Sequence, residues 1–301
     1  MTFMTRRFLL LLLLSAFFLT ACDRLNERPT MKIGYMNCNN ERETYQRFAP
    51  ISSYLSEKTG VEFETVVVDT HEFEERMKAG EFALVHTNSL LYINLKETVG
   101  LQLLAAEKRG AFGSHAAGAL ISRKGSGIEK IEDIKGKRLI FGPMMAPFGY
   151  LAQYDLMLAA GIDPERDLAY YAIPPGAFKH EKLIYAVYFG DFDVAAAPVL
   201  DLEEMTREGK IEADDFTILA QSATFPYCTF GAAADLDPAL FATIKKALLD
   251  LGPEDTAELD GERLKVLKTS WADGFEDLLD SDYDGLREMA RRANMPPYQS
   301  Y

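Results

Sequence analysis

The chain is 301 residues long, and 48% of its residues are hydrophobic and 26% are charged. This composition is typical of a globular protein and excludes a disordered or fibrous one. The formal net charge of −14 argues against nucleic acid as a partner, since nucleic-acid binding requires a basic surface. A small anion can still bind, because local donors at a helix N-terminus act against the overall charge.

The N-terminus has the pattern of a bacterial secretory signal. Arg6 and Arg7 precede an apolar stretch over residues 8–18, and a Leu-Thr-Ala-Cys sequence ends at Cys22. This pattern predicts a lipoprotein signal peptide whose cleavage leaves Cys22 lipidated at the new N-terminus. The apolar stretch is short for a membrane-spanning helix. An ordinary cleaved signal with a coincidental cysteine is the alternative.

Beyond the signal, strands and helices alternate along the chain. Strands are predicted over residues 31–36, 61–68, 82–85, 101–106, 119–122, 137–141, 168–172, 193–196, 216–220 and 228–233. Helices are predicted over residues 45–58, 71–78, 90–97, 150–160, 181–189, 200–208, 238–251, 261–268 and 283–294. This order is typical of an α/β protein with parallel sheets covered by helices.

The element order also predicts a division into domains. The strand pattern restarts after residue 118, and the C-terminal part is helical with few strands left to cover. We therefore expect a signal peptide over 1–21, a lipidated tether over 22–30, one lobe over 31–118 plus 220–301, and a second lobe over 119–219. Asp23, directly after the lipidated cysteine, resembles the signal that retains lipoproteins in the inner membrane, which implies attachment to the periplasmic side of that membrane.

The remaining cysteines and histidines carry no recognisable metal or catalytic motif. Cys38 and Cys228 would share an oxidising compartment, so a disulfide between them is an open question that spacing alone cannot answer. The sequence holds neither a CxxC pair nor zinc-ligand spacing, so we expect no metal and no cofactor. It also lacks a nucleophile elbow, HExxH, P-loop and dinucleotide fingerprint, so an enzyme is the weaker reading.

Residues 125–151 carry a resemblance to a known family. The Ser-Gly-Ile and Ile-Glu-Asp-Ile-Lys-Gly-Lys-Arg sequences in this range, followed by a strand ending in Phe141-Gly142, resemble the second-lobe entry of periplasmic solute-binding proteins. With His180 and the Gly-Asp-Phe-Asp-Val-Ala-Ala sequence over 190–196, the chain is similar to the phosphate/phosphite/phosphonate-binding proteins of ABC importers. The resemblance implies a two-lobed type II periplasmic-binding-protein fold, each lobe a mostly parallel sheet flanked by helices, with the ligand cleft between.

The same resemblance implies the partners and the site. The partners are a small-molecule solute and an ABC permease in the inner membrane, and the default state is a monomer. The residues expected to line the cleft are Tyr35, His86, Thr87, Asn88, Ser89, Tyr92, Met145, Ala146, Phe148, Gly149, His180 and Asp193.

The chain departs from the family where the anion should bind. Ala146, Pro147 and Phe148 occupy the positions of a Ser-Thr-Ser run that holds the phosphonate in the family, so three hydroxyls and one N–H are missing. Hydrogen bonds to a charged group contribute ~1.5–3 kcal/mol each. We therefore expect a ligand with an apolar part rather than a simple phosphonate. A sensor or accessory lipoprotein that reports ligand occupancy to a membrane partner is the alternative function.

Several of these residues also have a purely structural interpretation. His86 and Tyr92 could be core residues, and Asp193 could be a capping carboxylate. The single tryptophan, Trp271, is expected to anchor the packing of the lobes rather than to contact ligand.

Overall fold

The structure is a computed structural model that describes residues 30–175 and 178–300. The predicted signal peptide and Cys22 lie outside the described residues, as does the predicted tether except for its last residue. The strands are β1 (Thr30–Met36), β2 (Glu62–Val68), β3 (Leu84–Thr87), β4 (Gln102–Lys108), β5 (His115–Ala116), β6 (Gly118–Arg123), β7 (Arg138–Ile140), β8 (Tyr170–Ala172), β9 (Val194–Pro198), β10 (Phe216–Gln221), β11 (Phe225–Pro226), β12 (Thr229–Ala232), β13 (Thr256–Leu259), β14 (Glu262–Lys265) and β15 (Gly274–Glu276).

The helices cover the faces of the sheets. They are α1 (Glu41–Thr59), α2 (Phe73–Lys78), α3 (Ser89–Val99), α4 (Ala152–Ala159), α5 (Pro164–Asp167), α6 (Glu181–Tyr188), α7 (Val199–Arg207), α8 (Pro238–Asp250), α9 (Val266–Ser270) and α10 (Asp284–Arg292). Within the described ranges, every helix is too short or too polar to cross a membrane.

Two mixed sheets organise the fold. The first has six strands in the order β15-β4-β12-β3-β1-β2, and the second has five in the order β10-β6-β9-β7-β8. Strands β1 to β4 run in one direction, whereas β12 and β15 run against them. In the second sheet only β6 opposes the others. The predicted α/β fold with two lobes of mostly parallel strands is therefore confirmed, and the antiparallel strands are additions to it.

Short strands join the two sheets. Strand β5 lies in the chain between β4 of the first sheet and β6 of the second, and β11 lies between β10 of the second sheet and β12 of the first. The two form an antiparallel pair, with Phe225 opposite Ala116. This pair supports the proposal that the chain crosses between lobes near residues 118 and 220. Helix α10 lies across the same region, and its Leu286 and Met289 pack into a core that contains Val85 of β3 and Leu139 of β7.

One predicted helix is wrong. Residues 261–268 form β14 followed by the start of α9, and β14 pairs with β13 as a hairpin. Asp260 and Gly261 at the turn have φ of 53° and 80°, the left-handed values that a two-residue hairpin turn requires. The Asp-Gly pair was therefore a hairpin signal that the helical spacing of apolar residues concealed.

Candidate functional site

A cleft lies between the two sheets and encloses about 920 Å³. This volume suits a small organic solute. Its first-lobe wall comes from the segments that follow β1 and β4 and precede β12, and its second-lobe wall comes from the segment after β7 and the start of α6 and α7. These are mostly the carboxyl ends of the parallel strands, where α/β sheets place ligands.

The structure brings five of the predicted site residues to the cleft surface: Asn88, Met145, Ala146, Phe148 and His180. Five other predicted site residues are buried and do not line the cleft: Tyr35, His86, Thr87, Ser89 and Tyr92.

Cys38 and Cys228, which the sequence left open as a disulfide, both line the cleft as free thiols. Cys38 follows β1 and Cys228 precedes β12, and β3 lies between these two strands, which separates their axes by about 9–10 Å. A disulfide requires a shorter Cα separation.

Two buried tyrosines have structural partners. The Tyr35 ring stacks on Phe48 with centroids 5.0 Å apart, and its hydroxyl lies 3.0 Å from that of Ser52. The Tyr92 hydroxyl donates to Asp280 Oδ1 at 2.7 Å, in the C-terminal segment. Both side chains tie elements of the first lobe together rather than face the cleft.

Asp193 is also placed away from the cleft. Its carboxylate accepts from the backbone N–H of Arg138 at 2.8 Å and pairs with the Arg138 guanidinium at 3.0 Å. The hydrogen bond from Arg138 holds the pKa of Asp193 below its usual value. The residue thus fastens β9 to β7 at the end of the second sheet.

A tight turn forms the second-lobe wall. Residues Pro147–Leu151 make a single π-helical turn that leads into α4, so the helical segment begins three residues before the predicted start at residue 150. Buried Gln153 donates from Nε2 to the carbonyl of Phe148 at 2.6 Å and to that of Ala197 at 3.2 Å. This side chain holds the turn against β9 and fixes Phe148 at the cleft surface.

His180 lies directly against this turn. A Cβ atom built on Gly149 would be 2.7 Å from His180 Nε2, so glycine is required for the imidazole to sit there. The other ring nitrogen, Nδ1, is 3.6 Å from Asp201 Oδ2. Among the described residues, Nε2 has no hydrogen-bond partner although it is buried. A solute in the cleft could therefore meet an imidazole that is oriented by Gly149 and Asp201.

Sequence reasoning missed the arginines of the first-lobe wall. Arg47 on α1 is buried, and its Nε donates to the carbonyl of Ser270 at 2.6 Å. Arg109, directly after β4, pairs with Glu204 of α7 at 2.6 Å. Burial opposes the charge on Arg109, but nearby Glu204 and Glu107 outweigh it, so the pKa of Arg109 lies above its usual value. The cleft wall thus holds two arginines, each paired with a carboxylate.

The expectation for Trp271 is wrong. Its side chain is 46% exposed, lines the cleft, and lies 4.9 Å from the Arg47 guanidinium and 5.8 Å from that of Arg109, measured to the ring centroid. The residue ends α9 with a left-handed φ of 59°, and its N–H caps the helix by donating to the carbonyl of Lys268. The ring is thereby held over the arginines instead of in the core.

Behind the wall, a buried charge cluster supports Arg47. Arg47 Nη2 donates to Glu107 Oε1 at 3.4 Å, and His86 Nε2 lies 3.0 Å from Glu107 Oε2. Burial alone would raise the pKa of Glu107, but His86 and Arg47 reverse this and hold it below its usual value. Burial, reinforced by Glu107, raises the pKa of the Cys228 thiol well above its usual value.

Contacts between described residues join the lobes across the cleft. Lys179 pairs with Glu43 at 3.0 Å, Asn88 Nδ2 donates to the carbonyl of Met145 at 2.9 Å, and Arg109 pairs with Glu204. Because each contact needs both lobes in place, they stabilise this arrangement of the lobes.

Comparison with known proteins agrees with this architecture. The family described as "ABC transporter, phosphonate, periplasmic substrate-binding protein" matches residues 33–283. PhnD1 from Prochlorococcus marinus (MIT 9301), in complex with methylphosphonate, is similar with a TM-score of 0.72 and 17% identity, over 88% of this chain and 98% of that one. XAC2383 from Xanthomonas citri, bound to ATP, is similar with a TM-score of 0.70 and 19% identity, over 87% and 95% of the two chains.

A curated relative is a sensor histidine kinase. The chain is 28% identical over 236 residues to the tetrathionate sensor histidine kinase TtrS of Salmonella typhimurium (strain LT2). The match covers 73% of this chain and 39% of that protein's length, so the chain corresponds to less than half of the kinase.

Proposed function

Because the chain belongs to the periplasmic substrate-binding proteins of phosphonate ABC transporters, we propose that it captures a small solute between its lobes and delivers it to a permease. The observation that carries the proposal is the cleft of about 920 Å³ lined by polar and apolar side chains of both lobes. A solute that touches both lobes stabilises the closed state by its differential affinity for it, and a permease can recognise that state.

The lining chemistry supports an anion that has an apolar or polarisable part. His180, Arg47 and Arg109 offer donors or positive charge, whereas Phe148 and Trp271 offer aromatic surface. Phe148 also packs near Tyr227, with centroids 6.4 Å apart. The three hydroxyls of the family's phosphonate site are replaced by Ala, Pro and Phe, so a simple phosphonate would lose several hydrogen bonds of ~1.5–3 kcal/mol each.

A thermal-shift and calorimetric screen tests this proposal. The panel should contain inorganic phosphate, methylphosphonate, ATP and tetrathionate, the last three because relatives are described with them. We expect binding of a larger or sulfur-containing anion and its weakening in Trp271→Ala. Asp193→Asn, which alters a carboxylate away from the cleft, is the matched control and should bind normally. Tight binding of phosphate or methylphosphonate, unaffected by Trp271→Ala, would contradict the proposed specificity.

A second candidate function is sensing. The similarity to a sensor histidine kinase over 236 residues supports a protein that reports occupancy to a membrane partner. Deletion of the gene separates the two functions, since an importer component is needed for uptake of the bound solute. Unchanged uptake together with a lost transcriptional response would favour the sensor.

The proposed location is the periplasmic side of the inner membrane, which the family supports. We propose attachment through a lipid on Cys22, with the lobes at 31–118 plus 220–301 and at 119–219, and a monomeric state. Metabolic labelling with palmitate tests the anchor, because Cys22→Ser should abolish the label and release the protein into the periplasm.

A further inference from the structure

A cluster of three ligating side chains lies under the first-lobe wall of the cleft. One ligand atom each from His86, Glu107 and Cys228 lies within 4.8 Å of the other two. The three residues are 2%, 0% and 8% exposed, so the cluster is shielded from bulk solvent. It goes beyond the proposed solute site, because it forms within one lobe and does not need closure.

The sheet topology creates this cluster. His86 belongs to β3, Glu107 to β4, and Cys228 directly precedes β12, which runs between them. The Glu107 N–H donates to the Cys228 carbonyl at 2.8 Å. The three side chains therefore come from adjacent strands at the edge of the sheet that borders the cleft.

The cluster contains an ion pair whose two atoms form no well-aligned hydrogen bond. His86 Nε2 and Glu107 Oε2 lie 3.0 Å apart, yet in the described part of the chain neither makes a hydrogen bond of acceptable geometry. A cation between these two atoms and Cys228 Sγ would replace this poorly aligned contact with three ligand bonds.

We propose that His86, Glu107 and Cys228 bind a divalent transition-metal ion with the preferences of Zn²⁺, leaving its fourth position open to the cleft. Imidazole, carboxylate and thiolate are the three ligand types that zinc takes in proteins. Zinc–ligand bonds of ~2.0–2.3 Å in a tetrahedron separate the ligand atoms by roughly 3.3–3.8 Å. The observed separations, 3.0 Å for one pair and at most 4.8 Å for the others, reach this range with small side-chain rotations.

The surroundings fit a metal as well. Arg47 donates to Glu107 Oε1, which leaves Oε2 directed at the cluster, and such a hydrogen bond to a ligating carboxylate is a common outer-shell feature. A divalent ion with one carboxylate and one thiolate is electrically neutral, so the positive Arg47 is tolerated nearby. Cys228 lines the cleft, so a fourth position on that side of the ion would give an anionic solute a Lewis-acid contact.

Metal titration of the full-length protein, stripped with a chelator, tests the proposal. We expect one Zn²⁺ per chain by calorimetry, and with Co²⁺ a thiolate-to-cobalt charge-transfer band in the near ultraviolet. Cys228→Ser should remove the band and weaken zinc affinity by about 100-fold or more, since even outer-shell changes cost 10–100-fold. Cys38→Ser, which alters the other cleft thiol, is the matched control and should keep the band.

The outcomes distinguish a metal site from a buried ion pair. Absence of the cobalt band in the unmodified protein, or zinc affinity unchanged in Cys228→Ser, would overturn the proposal. His86→Gln is the second variant, in case Cys228→Ser fails to fold, and it should also weaken zinc binding strongly. Because these measurements need no solute, their failure would leave the proposed solute-binding function untouched.

Discussion

The substitution Gly149→Ala tests whether the His180 imidazole occupies the position described. The new Cβ would lie 2.7 Å from His180 Nε2 and 3.0 Å from its Cδ2, closer than real contacts allow. The φ of Gly149 lies outside the left-handed region, so alanine is compatible with the backbone and the collision is the main effect. Either the ring or the turn over Pro147–Leu151 must therefore move.

The loss of stability caused by Gly149→Ala depends on which group moves. Overpacking in a protein interior costs about 1–3 kcal/mol. Because the His180 side chain is 27% exposed, the ring can swing toward the cleft, and we expect the lower end, about 1 kcal/mol. For a chain of this size, this corresponds to a fall in Tm of roughly 2–4 °C. Loss of a hydrogen bond to a charged solute, ~1.5–3 kcal/mol, would weaken solute affinity roughly tenfold or more.

A double-mutant cycle measured by chemical denaturation provides the assay. In a His180→Ala background the ring is gone, so Gly149→Ala should become nearly neutral, within about 0.5 kcal/mol. If Gly149→Ala costs the same in both backgrounds, the collision is with the turn itself, and the assigned position of His180 is wrong. The cycle needs no solute, so its result does not depend on the identity of the ligand.

Three further changes separate structural residues from site residues. Asp193→Asn should lower stability without altering solute affinity, because it breaks the pair with Arg138. The pKa of Asp193 is lower in the folded than in the unfolded protein. The stabilisation from its pair with Arg138 is therefore present above the unfolded pKa of about 3.9 and is lost as pH falls through the folded pKa. The difference in stability between the native protein and Asp193→Asn should shrink in acid. Lys179→Ala should weaken solute affinity by up to about fivefold, because it removes a cross-lobe pair with Glu43 worth ~0.2–1 kcal/mol. Adding Glu43→Gln to Lys179→Ala should weaken solute affinity no further. Tyr92→Phe should cost about 1 kcal/mol in denaturant unfolding through one lost buried hydrogen bond, and a fall in solute affinity would contradict the structural role assigned to this tyrosine.

Local chemistry predicted most of the secondary structure, and its errors have identifiable causes. Helix α1 starts at Glu41 rather than at residue 45 because Asn40 caps it, accepting from the Glu43 N–H at 2.9 Å. That capping signal was present in the sequence, as was the Asp-Gly turn between β13 and β14. By contrast, two-residue strands such as β5 and β11 exist only through their pairing with each other, so periodicity cannot reveal them.

The fold class and the family could be predicted from the sequence, because these depend on periodicity and on motifs within short stretches of chain. Phe148 and His180 could be proposed as cleft residues, since each follows a predicted strand and precedes a predicted helix. The first-lobe wall emerges only in the folded chain. Arg47 and Trp271 are distant in sequence and meet through the packing of α9 on α1. His86 and Glu107 approach Cys228 because β12 returns from the second lobe between β3 and β4, and strand order across such a distance leaves no local signal.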